Sequence, residues 1–384
     1  MSEKVRYFIE QSAQEVQDLK KREIFTEKEL QKIIKRRTDH EHRILARTVK
    51  PREFILYATY EDNVEKLRAM RVKRLKQQGG ATGSGPSDWA GPRRINFIWE
   101  RAVRRFPSQL ELWTKYVEYA STHNMVSTAN KALISMIRLH PTKPEVWVYA
   151  AKFQAEENAS IIDARAILQR GLRINPTSAY LWLEYMRLEL IYVAKILARR
   201  SLLGLERATK DEKKELERDP ESLLDGQDLA QAEIEIKNLP EINIDIMGDV
   251  ESNPALRGDV ALAVFDSALN RDIGDKLEFC KSSLALFDGF SGLNRMHLCS
   301  HVIEYAIEHG GPRIWSVSLP IRYTNPCDPK FPEDLRLVFS QYQKQKGQDS
   351  NLPQDLRGYF APILQSESTD ESLKKAIQLF LQRM

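Results

Sequence analysis

Apolar residues in the middle of the chain fall into stripes at helical spacing. Ile95, Ile98, Trp99, Ala102, Val103 and Phe106 recur at intervals that keep them on one face of a helix, and Pro107 ends the run. Trp113, Tyr116 and Tyr119 open the next helix, whose partner spans 128–140 and stops at Pro141. Trp147 and Phe153 open another pair, closed by 164–175 and Pro176. Trp182, Tyr185, Leu188 and Glu189 open a fourth helix that runs to residue 200. A proline followed six residues later by a tryptophan therefore recurs in phase, at Pro107/Trp113, Pro141/Trp147 and Pro176/Trp182, with steps of 34 and then 35. A period of about 34 is the length of one helical hairpin in a repeat array. The pattern predicts an all-α fold, an α-solenoid of stacked hairpins.

Proline lacks a backbone N–H and disfavours helix in the residue before it, so it fixes where one helix stops. The tryptophan supplies an apolar plate worth roughly 1.5–3 kcal/mol or more when buried. A structural role accounts for these residues; stacking on nucleic-acid bases would need the indoles exposed.

Outside this array the pattern changes. Residues 1–50 read as an N-terminal helical region with helices at 3–22 and 26–48. Thr26 and Glu29 form a capping box, each satisfying a free backbone N–H of the other. Leu30, Ile33, Ile34, Ile44 and Leu45 share a face that needs a cover, either the first hairpin or another subunit's helix. Lys35, Arg36 and Arg43 take the opposite face. After Pro51, a helix over 52–76 presents Phe54, Tyr57 and Tyr60 and ends in Arg71, Lys73, Arg74 and Lys76. It opens the array, 51–200, which a flexible loop at 77–92 interrupts. That loop is glycine-rich, but no strand precedes it and no Gly-Lys-Ser/Thr ends it, so it is not a phosphate-binding loop.

Residues 201–258 read as an acidic insertion between the two helices of one hairpin, with Ile242, Ile244 and Ile246 alternating as a strand or extended peptide would. Residues 259–384 read as degenerate helical repeats: 264–269 resembles a second hairpin helix, 275–288 and 293–309 form a pair, and Pro312 with Trp315 marks a further unit.

Composition narrows the function. No stretch of about 18 apolar residues exists, so no membrane span is expected. The opening SEKVRYFIEQSAQE has no apolar signal core, so secretion is not expected. Three unpaired-looking cysteines, Cys280, Cys299 and Cys327, suit a reducing compartment. A net charge of +4 hides an uneven distribution. Residues 1–78 carry 20 Lys/Arg against 13 Asp/Glu, whereas 204–259 carry 16 Asp/Glu against 7 Lys/Arg. Two kinds of contact would follow, or simply a solvated helix surface and an acidic loop.

Catalytic signatures are missing: no nucleophile elbow, zinc-protease motif or dinucleotide fingerprint occurs. His297, Cys299 and His301 have metal-like composition, but on a helix Cys299 points away from the histidines and no fourth ligand follows. His40 and His42 read as surface residues. No enzyme activity, cofactor, metal or small-molecule substrate is expected. The basic faces are the stronger signal. Arg94, Arg101 and Arg105 lie along one flank of 93–105, about 100° from the apolar stripe, with Arg93 and Arg104 on the back. Together with Lys35, Arg36, Arg43, Arg71, Lys73, Arg74 and Lys76, these cations could track phosphates without reading sequence, or pair with carboxylates.

The hairpins resemble the half-a-TPR (HAT) repeat, whose second helix carries an aromatic-Glu-Arg-Ala signature before a proline. The run Ile98-Trp99-Glu100-Arg101-Ala102-Val103-Arg104-Arg105-Phe106-Pro107 is the nearest copy, and Ser135-Met136 and Arg170-Gly171 replace the Arg-Ala pair in the other hairpins. The first helices Phe54/Tyr57/Tyr60/Glu61 and Trp182/Tyr185/Leu188/Glu189 also fit. The N-terminal run 24–37, followed by 41–44 and 54–61, is similar to the sixth family of U-three small nucleolar RNA-associated proteins. The resemblance covers residues 1–200. It implies a scaffold in the UTP-B subcomplex of the small-subunit processome, acting in pre-18S rRNA processing in the nucleolus. The implied partners are WD-repeat propeller subunits and, with them, the U-three snoRNP and pre-ribosomal RNA. The alternatives are a HAT scaffold for splicing or messenger-RNA 3′-end processing, and a protein that binds RNA directly.

Overall fold

The computed structural model describes residues 3–10, 12–77, 85–202, 253–290, 292–324, 328–345, 351–365 and 371–382. Among these residues every regular element is helical, so the fold is all-α as the apolar stripes predict. The chain divides into two compact units, Met1–His140 and Pro141–Met384.

The first unit holds α1 (Glu3–Glu10), α2 (Ala13–Lys21), α3 (Glu27–Leu45), α4 (Pro51–Gln77), α5 (Ser87–Arg105), α6 (Leu110–Thr122) and α7 (Val126–Leu139). Packing runs mostly between neighbours in sequence: α3 on α4, α4 on α5, α5 on α6 and α6 on α7. This is the order of a solenoid. The N-terminal segment departs from it, since α1 lies on α3 and α2 on α5. Two boundaries also differ from the sequence expectation. The helix expected over 3–22 is broken around Ser12, whose hydroxyl donates to the Ile9 carbonyl. The loop expected over 77–92 already contains the first turns of α5, including Pro92. That proline sits near the helix start, where its missing N–H forfeits a single hydrogen bond.

The second unit begins with α8 (Pro144–Glu156), α9 (Ile161–Ile174) and α10 (Ala179–Leu202). It continues with the short α11 (Pro254–Arg257), α12 (Asp259–Leu269), α13 (Lys276–Asp288) and α14 (Arg295–Glu308). The end is built from α15 (Ile314–Ser318), α16 (Phe331–Gln345), α17 (Leu352–Gln365) and α18 (Glu371–Gln382). Helix α10 packs on α12, although some fifty residues of chain separate them. Gly258 adopts the left-handed conformation (φ 89°) that turns α11 into α12, a conformation that costs glycine little. The Ile242/Ile244/Ile246 run and Cys327 lie outside the described residues. The last helices, which lack the tryptophan period, still share one core: Phe331, Leu335, Val338, Leu356, Phe360 and Ile377 are buried together.

The offset of six between proline and tryptophan has a direct geometric cause. Trp113 Nε1 donates to the Pro107 carbonyl at 3.1 Å, Trp147 Nε1 to Pro141 at 2.8 Å, and Trp182 Nε1 to Pro176 at 2.9 Å. Burying an indole leaves its N–H in need of an acceptor, and the carbonyl at the preceding turn provides it. Two of these carbonyls accept a second bond, Pro107 from His140 Nε2 at 2.7 Å and Pro141 from Asn175 Nδ2 at 2.9 Å. Trp113, Trp147 and Trp182 are buried, together with Phe54, Tyr57, Tyr116, Phe153 and Tyr185, while Tyr60 is half-buried. Gly171, which departs from the repeat signature, lies under the Trp147 indole. A Cβ there would come within 2.9 Å of the ring.

Candidate interaction surface of the N-terminal helices

Charged residues from four helices meet inside the first unit. Arg37 on α3 directs Nε and Nη2 at the two oxygens of Glu61 on α4, at 2.8 and 2.9 Å. Its Nη2 also reaches Glu15 Oε1 on α2 at 3.3 Å. Arg94 on α5 places Nη1 3.2 Å from Glu61 Oε2 and 3.3 Å from Glu15 Oε1, and its Nη2 pairs with Glu15 Oε2. The side chains of Arg37, Glu15 and Glu61 are only 5%, 6% and 1% exposed. Burial alone would raise the Glu15 carboxyl, but Arg37 and Arg94 beside it hold it below the usual carboxylate range. Burial likewise works against the Arg37 and Arg94 charges, and the facing carboxylates raise both above the ordinary value. Two cations and two anions leave the lattice neutral. It ties four helices together and has no net charge with which to attract an anion.

Three further ties surround it. Asp88 at the start of α5 accepts from Arg68 Nη1 at 2.6 Å and Arg22 Nη1 at 3.2 Å. Arg101 donates to Glu41 at 2.9 Å and lies 4.7 Å over Phe8 and 5.1 Å over Phe97. Arg71 forms a two-pronged bond to Glu29 at 2.9 and 2.8 Å and donates to the Ile24 carbonyl at 3.0 Å. Glu29 is thus shared with the capping box, where it accepts from Thr26 N at 2.9 Å. Hydrogen bonds from Arg71 and then from the Thr26 backbone lower its carboxyl to about 2.

This geometry corrects part of the expected cationic surface. Arg94 and Arg101 face buried carboxylates of α2 and α3 and are not free to meet phosphates, and the partly exposed Arg71 is held by Glu29. Lys35, Arg36, Arg43, Lys73, Arg74, Lys76, Arg93, Arg104 and Arg105 are exposed. Arg43 and Arg104 lie near Glu53 and Glu100, at 3.9 and 3.7 Å. The expected cover for the apolar face of α3 comes from the chain itself: Leu30 is buried with Leu19, Ile24, Phe25 and Val72. Leu45, assigned to that face, is exposed.

His40 is not the surface residue its position suggested. It stacks on Tyr57 with ring centroids 5.0 Å apart and an angle of 8°. Burial first, and then Arg43, lower its pKa from the usual histidine value. In the second unit, His297 and His301 each turn to an aspartate of α12, Asp259 at 2.7 Å and Asp266 at 2.8 Å. Cys299 lies 3.1 Å from the Tyr323 hydroxyl. Among the described residues, no three His, Cys, Asp or Glu side chains are grouped so as to hold a metal ion. Nor, among those residues, is any helix long and apolar enough to cross a membrane.

The sequence reading missed Glu15, Arg37, Glu41 and Glu61 as members of the interior. A signal existed in α3. Arg37 and Glu41 fall seven and eleven residues after Leu30 and seven and three before Ile44, on the stripe that those apolar residues define. A charge at a stripe position either breaks the helix face or is paired in the interior.

A family match falls on these same helices, and the similarity to known relatives extends further. Residues 9–94 match the family described as U3 small nucleolar RNA-associated protein 6. A Schizosaccharomyces pombe protein named U3 small nucleolar RNA-associated protein 6 is 39% identical over 203 residues, 53% of this chain and 41% of its own. The human protein named as its homolog is 29% identical over 211 residues, and the mouse homolog 28% over 211. Each of those matches covers 55% of this chain and 34% of the relative. The chain thus spans less than half the length of these curated relatives. The matched segment, 9–94, contains Glu15, Arg37, Glu61 and Arg94.

Proposed function

We propose that this chain is a non-catalytic scaffold in small-subunit ribosome biogenesis, associated with U3 small nucleolar RNA as the names of its relatives state of them. The observation that carries the proposal is the match over residues 9–94, the segment in which a neutral internal lattice fixes four helices and leaves other cations facing outward. A rigid frame with a polar outer face suits a subunit that joins others. Its setting would be the UTP-B subcomplex of the small-subunit processome in the nucleolus. WD-repeat propeller subunits would be its protein neighbours, and the U3 snoRNP and pre-18S rRNA would lie within the assembly. The hairpins would then be HAT repeats, with Lys35, Arg36, Arg43, Lys73, Arg74, Lys76, Arg93, Arg104 and Arg105 meeting RNA backbone or acidic protein. Charge alone binds nucleic acid at about 10⁻⁴–10⁻⁶ M at physiological salt, so specificity would come from protein contacts.

Purification of the tagged full chain from nuclear extract, with identification of bound RNA and protein, tests this. Enrichment of U3 small nucleolar RNA and small-subunit precursor RNA is the expected result. Enrichment of spliceosomal or messenger-RNA 3′-end machinery in their place would overturn it. So would nanomolar binding of one RNA sequence by the isolated chain at physiological salt.

A further inference from the structure

Helix α4 carries two apolar faces. One is buried and includes Phe54, Tyr57, Ala58 and Val72. At about 100° per residue, Leu56, Tyr60, Leu67 and Met70 fall on a second stripe, turned away from the first. Leu56, Leu67 and Met70 are 41%, 38% and 52% exposed. Beside this stripe an open cleft of about 610 Å³ runs between α3 and α4, floored by Phe25, Ile33, Tyr60 and Val64. Its α3 bank is Lys32, Lys35 and Arg36, the last lying 5.8 Å over the Tyr60 ring. Lys73 and Arg74 project near the end of α4. Among the described residues none of these five cations has a carboxylate within ion-pair distance. Two acids also line the cleft, Asp39, which is exposed, and Glu29, which Arg71 already neutralises at 2.8 Å.

We infer that this cleft docks an acidic amphipathic helix of a partner protein. Single exposed apolar side chains are ordinary, but a row of them along one groove marks a contact surface. From Leu56 to Met70 the stripe runs about 21 Å, at 1.5 Å per residue. That length suits a partner helix of about four turns with apolar anchors at i, i+3 or i+4, and i+7. The uncompensated cations on the banks select acidic flanks on that helix and steer its approach. An RNA backbone would use the cations but leave Leu67 and Met70 in water. The inference rests on the scaffold role proposed above and names the chemistry of the scaffolded partner.

A photocrosslinking residue such as benzoylphenylalanine, placed at position 67 or 70 of the full chain in cells, tests this. Both positions are exposed, and circular dichroism checks that each variant folds. The expected product is a crosslink to a peptide with helically spaced apolar residues and Asp/Glu flanks. Lys35→Glu combined with Arg36→Glu should lower its yield by about tenfold, the effect of roughly 1.4 kcal/mol. A crosslink to RNA, to a second copy, to another segment of the same chain or to a basic peptide overturns the inference, as does no crosslink. Recovery of U3 small nucleolar RNA from the same cells separates the two claims. RNA recovered without the acidic-helix crosslink removes the groove and keeps the scaffold role. The crosslink without the RNA does the reverse.

Discussion

Two stretches of this chain build helix pairs by different means. Over α2–α5 the helices are joined by buried charges: Arg37 and Arg94 bridge Glu15 and Glu61, with Arg68, Arg22 and Asp88 beside them. Over α8–α10 apolar plates predominate, Trp147 over Gly171 and Trp182 near Pro176, each indole N–H fixed to a turn carbonyl, with one two-pronged charged tie from Arg165 to the buried Glu189 at 2.7 Å. Apolar plates supply most of the free energy and tolerate small shifts. Paired charges supply little net free energy once desolvation is counted, yet they penalise every arrangement that leaves one unpaired. The charged lattice of the first stretch therefore specifies geometry, and the tryptophan plates of the second contribute stability.

The largest expected effects come one from each stretch. Arg37→Met leaves Glu15 and Glu61 with Arg94 alone and should destabilise the first unit by about 3–5 kcal/mol, read by chemical denaturation. Adding Glu61→Leu should restore most of that loss, because an apolar pair can replace a buried ion pair. A single variant as stable as the parent would reduce the lattice to ornament and erase the contrast. Trp147→Ala should cost about 3–5 kcal/mol in the second unit, as expected for a truncated buried aromatic. Here no single companion substitution should repair it, and an unchanged unfolding midpoint would remove Trp147 from the core.

A smaller effect tests the plate more finely. Gly171→Ala adds a methyl group within 2.9 Å of the Trp147 ring, an overpacking expected to cost about 1–3 kcal/mol. A stabilised variant, as helix propensity alone would give, would show that the indole has room to move.

The most graded test is acid. Folding lowers the pKa values of His40, Glu15 and Glu29, so below their unfolded values the unfolded chain binds more protons than the native one. Their stabilisation is present at neutral pH. It starts to fall below about 6.5 through His40, and falls further below about 4.5 through Glu15 and Glu29, the last being exhausted near 2. In α8–α10 the displaced groups, Tyr180, Tyr185 and Arg165, all move upward from ordinary values that are already basic, beyond the reach of acid. Hydrogen exchange, corrected for intrinsic rates, should therefore show residues 27–77 opening at higher pH than residues 144–174. Simultaneous opening would contradict the division.

The sequence made the second stretch legible and much of the first illegible for the same physical reason. A tryptophan is buried almost wherever it sits on an apolar stripe, so Trp113, Trp147 and Trp182 reveal helices and packing together. An arginine is buried only where a neighbour supplies the counter-charge, and that neighbour is distant in sequence: Arg94 meets Glu15 across 79 positions. Its angle of about 100° from the apolar stripe identified a flank without showing that α2 and α3 would lie on it. The start of α5 was hidden by Pro86, Gly91 and Pro92, whose composition reads as loop. Gly91 faces the carboxylate end of Glu65 on α4. The indole-to-carbonyl bonds were invisible as bonds, although their fixed offset of six was plain.

That bond acts as a ruler. Helices α6 and α8 each have 13 residues, and α7 and α9 each have 14. The turn between α6 and α7 covers 123–125, whereas that between α8 and α9 covers 157–160. The lengthening of the period from 34 to 35 is thus one residue inserted at a hairpin tip, while proline and tryptophan keep their distance. Drift in repeat length is admitted at one end of each hairpin and refused at the other. New loops can be grafted at the α6–α7 and α8–α9 tips, whereas a single residue added between Pro141 and Trp147 would turn the indole away from its carbonyl.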